Sequence, residues 1–173
     1  MFHEILGMQT TLLEINLILV PSLLVTMMLF YTNWNNMSGL PWINLVIIFL
    51  LVVDLAAGVI ANFTYGTNKY YSSRPKLRRI FIAVHVQPLV FSWLTGLYWT
   101  QFLVVWFYTA IIALVIDSLS GHSSQRPLAA AALTVGIAAL VLFANLPTYF
   151  MLILALYMIK LILSFPVDHY RSK

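Results

Sequence analysis

Four ionisable side chains, Glu14, Asp54, His85 and Lys160, stand inside apolar runs of the sequence, and Asp117 stands at the end of another. Ionisable groups in such runs are costly and suggest function by default. A carboxylate, an imidazole and an amine all change charge when desolvated. The set suits proton-coupled movement of a small solute. It also suits acid–base catalysis on an amphipathic, anionic, lipid-like substrate, with His85 or Asp54 as the catalytic base. Each residue has a structural reading too. Asp54 and Lys160 fit a buried ion pair that fixes helix register. Lys160 fits a side chain snorkelling toward headgroups. His85 fits a hydrogen-bonded interior histidine, and Glu14 a hydrated interfacial carboxylate. Gln87 and Gln101 read as cross-helix hydrogen bonders, and Trp106, Tyr108 and Tyr157 as packing residues.

Other chemistries are poorly served. There is no cysteine. A zinc-type site would need three or four ligands, and His85, Asp54 and Glu14 offer three with no short-spaced pair among them. His3, His122 and His169 fall in ends and loops, which leaves one deep histidine and no bis-histidine haem site. No phosphate-cradling glycine loop or nucleophile elbow occurs. Neither a metal nor a cofactor is expected.

The elements that must position these groups are helices in lipid. The chain is 62% hydrophobic and 8% charged, with a mean hydropathy of +0.93. Soluble domains carry about 25% charged residues. Six apolar segments are long enough to read as spans, over about 10–31, 41–62, 80–97, 99–118, 127–145 and 147–165. Crossing the hydrocarbon takes roughly 20 residues, and each span must be helical because lipid offers no partner to a free amide. The fold class expected is therefore an all-α integral membrane protein, a single domain over 1–173 built as six transmembrane helices. The third and fourth form a short, tight hairpin turning at Gly96. Pro41, Pro127 and Pro147 suit first helical turns. Pro21 and Pro88 predict kinks. Residues 32–39 and 118–127 read as polar loops. The first apolar run lacks the basic flank and cleavage site of a signal peptide, so it is expected to remain as a helix.

Charge sets the orientation. Of nine lysines and arginines, five fall in the twelve-residue stretch NKYYSSRPKLRR, from Asn68 to Arg79. Six crossings put that loop, the 118–127 loop and both termini on one face, with Lys69, Arg74, Lys76, Arg78, Arg79, Arg126, Arg171 and Lys173. The opposite loops hold no lysine or arginine. The positive-inside rule makes the basic face, and both termini, cytoplasmic. Trp34, Trp42, Trp93 and Trp99 gather toward the other face. The basic loop is at least a topology signal. It also offers Arg74, Lys76, Arg78 and Arg79, flanked by Tyr70 and Tyr71, to an anionic headgroup. The partners expected are the bilayer and anionic lipid headgroups, with a homo-oligomer or a larger membrane complex plausible at this size and no nucleic acid. The plasma (inner) membrane of a prokaryote is the expected location.

Depth then gathers the polar groups. Asp54 and Lys160 each lie about 13 residues, or roughly 20 Å, from the outer end of their helices. His85 lies roughly 7 Å above the basic edge, and Glu14 at a comparable level. Asp54, Gly58 and Asn62 share one helix face, where Gly58 would admit another backbone closely. The expectation is a pocket in the cytoplasmic half of the bilayer, with Asp54, Asn62, His85, Lys160 and Glu14 as ligand-binding residues. It would serve a protein that binds, and perhaps transports, a small or lipid-like anionic ligand. The alternatives are the intramembrane enzyme above, and a non-catalytic subunit whose polar residues only fix helix packing.

Overall fold

The computed structural model describes residues 10–170, and all regular structure among them is helical. Helix α1 spans Leu12–Met37, α2 Trp42–Ala61, α3 Tyr65–Ser72, α4 Pro75–Val84, α5 Gln87–Thr95, α6 Trp99–Ser118, α7 Gln125–Phe143 and α8 Thr148–Met158. Helix α8 runs on into a π-helical stretch, Ile159–Ser164. Four of these, α1, α2, α6 and α7, are long and apolar enough to cross a membrane. The protein thus has the character of a multi-pass integral membrane protein. The apolar Thr148–Ser164 stretch is shorter.

Local chemistry explains several boundaries. Helix α1 opens on a reciprocal cap. Thr11 Oγ1 accepts from Glu14 N, and the Glu14 carboxylate accepts from Thr11 N at 2.7 Å and Thr11 Oγ1 at 2.9 Å. This satisfies amides that a first turn otherwise leaves without partners. Helix α2 begins after Pro41 and α8 after Pro147, each in extended backbone. The α5–α6 turn uses left-handed backbone at Gly96 (φ 71°) and Tyr98 (φ 57°). It is closed by Ser92 Oγ donating to the Leu97 carbonyl at 2.7 Å.

Four expectations need correction. The predicted helix over 80–97 begins earlier, at Pro75, and is broken at His85 and Val86 into α4 and α5. Pro88 causes this: it has no amide for the Val84 carbonyl four residues back, and that carbonyl accepts instead from Val86 N at 2.9 Å. Pro88 then sits in the first turn of α5, where proline is at home. The kink expected at Pro21 is absent from the backbone angles, because the only residue of α1 outside helical values is Asn33 (φ −119°, ψ 17°). Residues 32–37, expected in a loop, continue α1 and carry Trp34 within it. The basic segment is likewise not a loop; it comprises α3 and the first turn of α4.

The core runs between α2, α5, α6, α7 and α8 through Ile48, Val52, Phe91, Phe102, Phe150 and Leu154, all buried. The outer faces of the long helices stay apolar and exposed, as at Leu24, Leu50, Val104 and Val135. A bilayer is the natural solvent for such faces. Cross-links pin the two ends. At the end carrying Trp42 and Trp99, Asn44 Nδ2 donates to the Leu94 carbonyl at 2.9 Å. At the other end the basic residues collect, and the segment after the π-stretch lies across them.

Candidate functional site

The sequence-predicted residues part into two groups. Asp54, Lys160 and His85 come together. Glu14 and Asn62 do not join them. Glu14 is the cap of α1, and Asn62 turns back to donate from Nδ2 to the Gly58 carbonyl at 2.7 Å, closing the end of α2.

Lys160 is carried by the π-stretch, where the helix closes with Phe165 N donating to the Lys160 carbonyl at 3.0 Å. Single π-turns inside helices often mark functional positions. The Lys160 side chain is 2% exposed, and its Nζ donates to Asp54 Oδ2 at 2.7 Å and to the Asp54 carbonyl at 3.4 Å. Its stem lies against Gly58, where an added Cβ would collide with Cδ, Cε and Nζ. Gly58 therefore admits a lysine side chain rather than a neighbouring backbone. Lys160 also lies 5.9 Å from the centroid of the Phe81 ring, within reach of a cation–π contact.

Asp54 sits differently. Its side chain is 55% exposed on the flank of the bundle, although its helix is embedded in apolar surface. The second donor to Oδ2 is Gln87 Nε2 at 2.5 Å. Gln87 Oε1 is buried with no partner among the described residues. The break between α4 and α5 places Gln87 here, at the opening of α5 rather than in the middle of a regular helix.

The broken backbone at His85 is satisfied internally. Its carbonyl accepts from Tyr157 Oη at 2.9 Å. Its Nδ1 lies 2.5 Å from the Phe81 carbonyl. A carbonyl can only accept, so Nδ1 carries the proton. The imidazole packs on the Phe81 ring at 3.7 Å between centroids, and Phe81 stacks on Phe165 at 4.2 Å. His85 is thus 9% exposed and faces the interior rather than the open flank.

Between α2, the α4–α5 pair and α8 these side chains pack on one another. The cavities found lie on another side of the bundle. One, of about 400 Å³, is lined by Gln101, Tyr108, Gly136, Leu140 and Met158 among others, and its neighbour runs along α6 from Leu103 to Ile112. Neither touches Asp54, His85 or Lys160. Among the described residues, no group of three metal-ligating side chains occurs.

At the basic end the arginines also divide. Arg78 is 2% exposed and pairs through Nε with Asp117 Oδ1; Arg79 Nε pairs with Asp117 Oδ2 at 2.9 Å. Arg78 is therefore a core ion-pair member and is not presented to a headgroup. The missed signal was Asp117 itself, a carboxylate at the same end as the arginines. Lys69, Arg74, Lys76 and Arg79 remain exposed. Arg74 folds over Tyr70, 4.0 Å from the ring centroid, and donates from Nη1 to the Tyr70 carbonyl at 3.0 Å. Tyr71 packs inward on Phe81 and Phe165. Arg171 and Lys173 lie outside the described residues.

The chain after the π-stretch is strapped across this end. Asn68 Nδ2 donates to the Val167 carbonyl at 2.8 Å, and Gln125 Nε2 to the Pro166 carbonyl at 3.0 Å. Arg126 Nη2 donates to the carbonyls of Asp168 and His169 at 2.9 and 2.7 Å. Burial holds the His169 imidazole below its ordinary pKa of 6.5, against a backbone hydrogen bond to Ser164 that works the other way. Comparison with protein families, curated proteins and solved structures finds no match.

Proposed function

We propose that the chain is a six-crossing membrane protein that binds a small or lipid-like amphiphile on its flank at Asp54, Lys160 and Gln87. The site lies in the half of the bilayer next to the basic end. The α4–α5 pair and the Thr148–Ser164 stretch complete the six crossings, which keeps both termini on the basic, cytoplasmic side, as the positive-inside rule favours. The plasma membrane of a prokaryote is the location this reading carries. Exposed Lys69, Arg74, Lys76 and Arg79 hold anionic headgroups at that surface, where Leu77 and Ile80 on the same short helix are also exposed.

One observation carries the reading. Asp54 exposes 55% of its side chain on an apolar flank while tied to a lysine that is 2% exposed. A carboxylate facing hydrocarbon is expensive. A polar occupant, or water that enters with one, removes that cost. The π-stretch and the helix break converge on the same place, which further supports a site.

A second reading has its own observation. Lys160 is packed dry against Gly58, as a register-fixing ion pair would be. Under it the protein is a subunit of a homo-oligomer or larger complex whose partner covers Asp54. Native mass spectrometry of the protein released from mild detergent separates the two. Lipid-sized mass retained by the wild type and lost in Asp54→Leu/Lys160→Met, with unchanged thermal stability, supports binding. Equal retention in both rejects it. Thiol labelling of cysteines introduced at Lys76 and Trp34 tests the topology, which fails if both react from the same side.

A further inference from the structure

Resting on the binding reading above, we infer that the head group held at Asp54 is a neutral hydrogen-bond donor, the hydroxyl of a lipid-like alcohol. The lip of the site is short of donors. Both hydrogen bonds to the Asp54 carboxylate, from Lys160 and Gln87, land on Oδ2. Among the described residues no donor reaches Oδ1. Gln87 commits its amide nitrogen to Asp54, which fixes the other end of the amide as an acceptor, and that Oε1 has no partner. What the open flank offers is therefore an acceptor, Asp54 Oδ1, with the unpartnered Gln87 oxygen buried beside it.

Charge narrows the class. Asp54 and Lys160 already cancel, so the site is neutral as it stands. An anionic head would meet a carboxylate, and the Lys160 ammonium lies beneath Asp54 at 2% exposure. An ammonium head would leave a net positive charge in apolar surroundings, where uncompensated charge costs most. A hydroxyl donates one hydrogen bond to Oδ1 and leaves the balance untouched. Its apolar body has a surface to lie on: Leu50, one turn from Asp54 on the same face of α2, is 60% exposed. Anionic ligands then belong to the exposed cations of the basic end, not to this site.

The test uses the full chain in detergent micelles and four photoreactive C18 probes with the same chain and diazirine. Their heads are a hydroxyl, its methyl ether, an ammonium and a carboxylate. Labelling of α2 is read by peptide mass spectrometry. The hydroxyl probe is expected to label α2 about tenfold or more above the other three, because a site built around a hydrogen bond rejects analogues that cannot make it. Asp54→Leu/Lys160→Met should abolish that preference. Asp54→Asn/Lys160→Met, whose amide oxygen accepts from Gln87 and leaves an NH2 facing the flank, should lose the preference as well. Equal labelling by all four heads, or a preference for the amine or the carboxylate, overturns the hydroxyl assignment while leaving an amphiphile site in place. No labelling of α2 by any probe removes the binding reading itself. A stoichiometric co-purifying subunit that shields α2 assigns Asp54 to a protein partner and overturns the inference.

Discussion

Asp117 and Asp54 are both aspartates held by cations between helices, yet one site is closed and the other open. Asp117 is 1% exposed and takes an arginine on each oxygen, Arg78 on Oδ1 and Arg79 on Oδ2. Asp54 is 55% exposed and takes both of its donors on one oxygen. The first carboxylate has its hydrogen bonds completed by the fold. The second has a face left over. Completed buried pairs serve architecture, and their net contribution to stability is small even though breaking them is costly. An incomplete one on an apolar flank is where binding is to be sought.

The largest effect that would sharpen this contrast is at the closed site. Asp117→Ala strands Arg78 in the core, and loss of about 3–5 kcal/mol is expected from removing one partner of a buried pair. Thermal denaturation in detergent reads it, and a fall in stability below about 1 kcal/mol would mean that Asp117 does not hold Arg78 in the core. Asp54→Leu alone strands Lys160 in the same way and should also cost a few kcal/mol. Here the second change matters more. Lys160→Met added to Asp54→Leu should restore near wild-type stability, since apolar replacement of a whole pair is often neutral. Failure of that rescue would mean the open site is as structural as the closed one.

A smaller effect is expected at Gly58. Gly58→Ala drives a Cβ into the Lys160 stem, with a cost of about 1–3 kcal/mol as for other overpacked positions. Changing Lys160 to alanine in the same background should relieve it. Persistence of the cost in the double variant would locate it elsewhere than in the lysine.

The smallest is a pH effect at the strapped end. His169 has a folded pKa below its ordinary 6.5, so the unfolded chain binds the proton more readily. Stability from this residue is complete above pH 6.5 and declines as pH falls through that value toward the lowered one. Between pH 7.5 and 5.5, wild type should lose more thermal stability than His169→Gln by a few degrees at most. A larger loss in the variant would reverse the sign and reject the lowered pKa of the half-buried histidine.

The legibility of the molecule follows from the reach of each physical rule. Hydropathy over twenty residues is a local property, and it marks α1, α2, α6 and α7 because each must satisfy its backbone alone in lipid. Proline chemistry is local too, yet its outcome at Pro88 was not. Whether the helix bends or breaks there depends on who else can bond to the carbonyls left open, and Tyr157, seventy-two positions along the chain, takes that of His85, next to the Val84 carbonyl that Pro88 frees. Arg78 and Arg79 are neighbours of one type, and nothing in their spacing separates them. The distinction is made by which of them faces Asp117 from within the bundle.

The site divides along the same line. That Asp54 and Lys160 share a level could be read from rise per residue, since depth along a helix is fixed by position in the chain. Rotation about the helix axis is not so fixed across a broken helix and a π-turn. The sequence alone therefore determined an apolar, helical, lopsidedly charged protein and the shared level of Asp54 and Lys160. Only the tertiary structure decided that Lys160 turns inward over Gly58, that Glu14 caps α1 instead of joining it, and that Asp54 and Gln87 are left with acceptor oxygens to spare. Those outcomes depend on which side chains from distant elements compete for the same small space, and that competition is settled by packing.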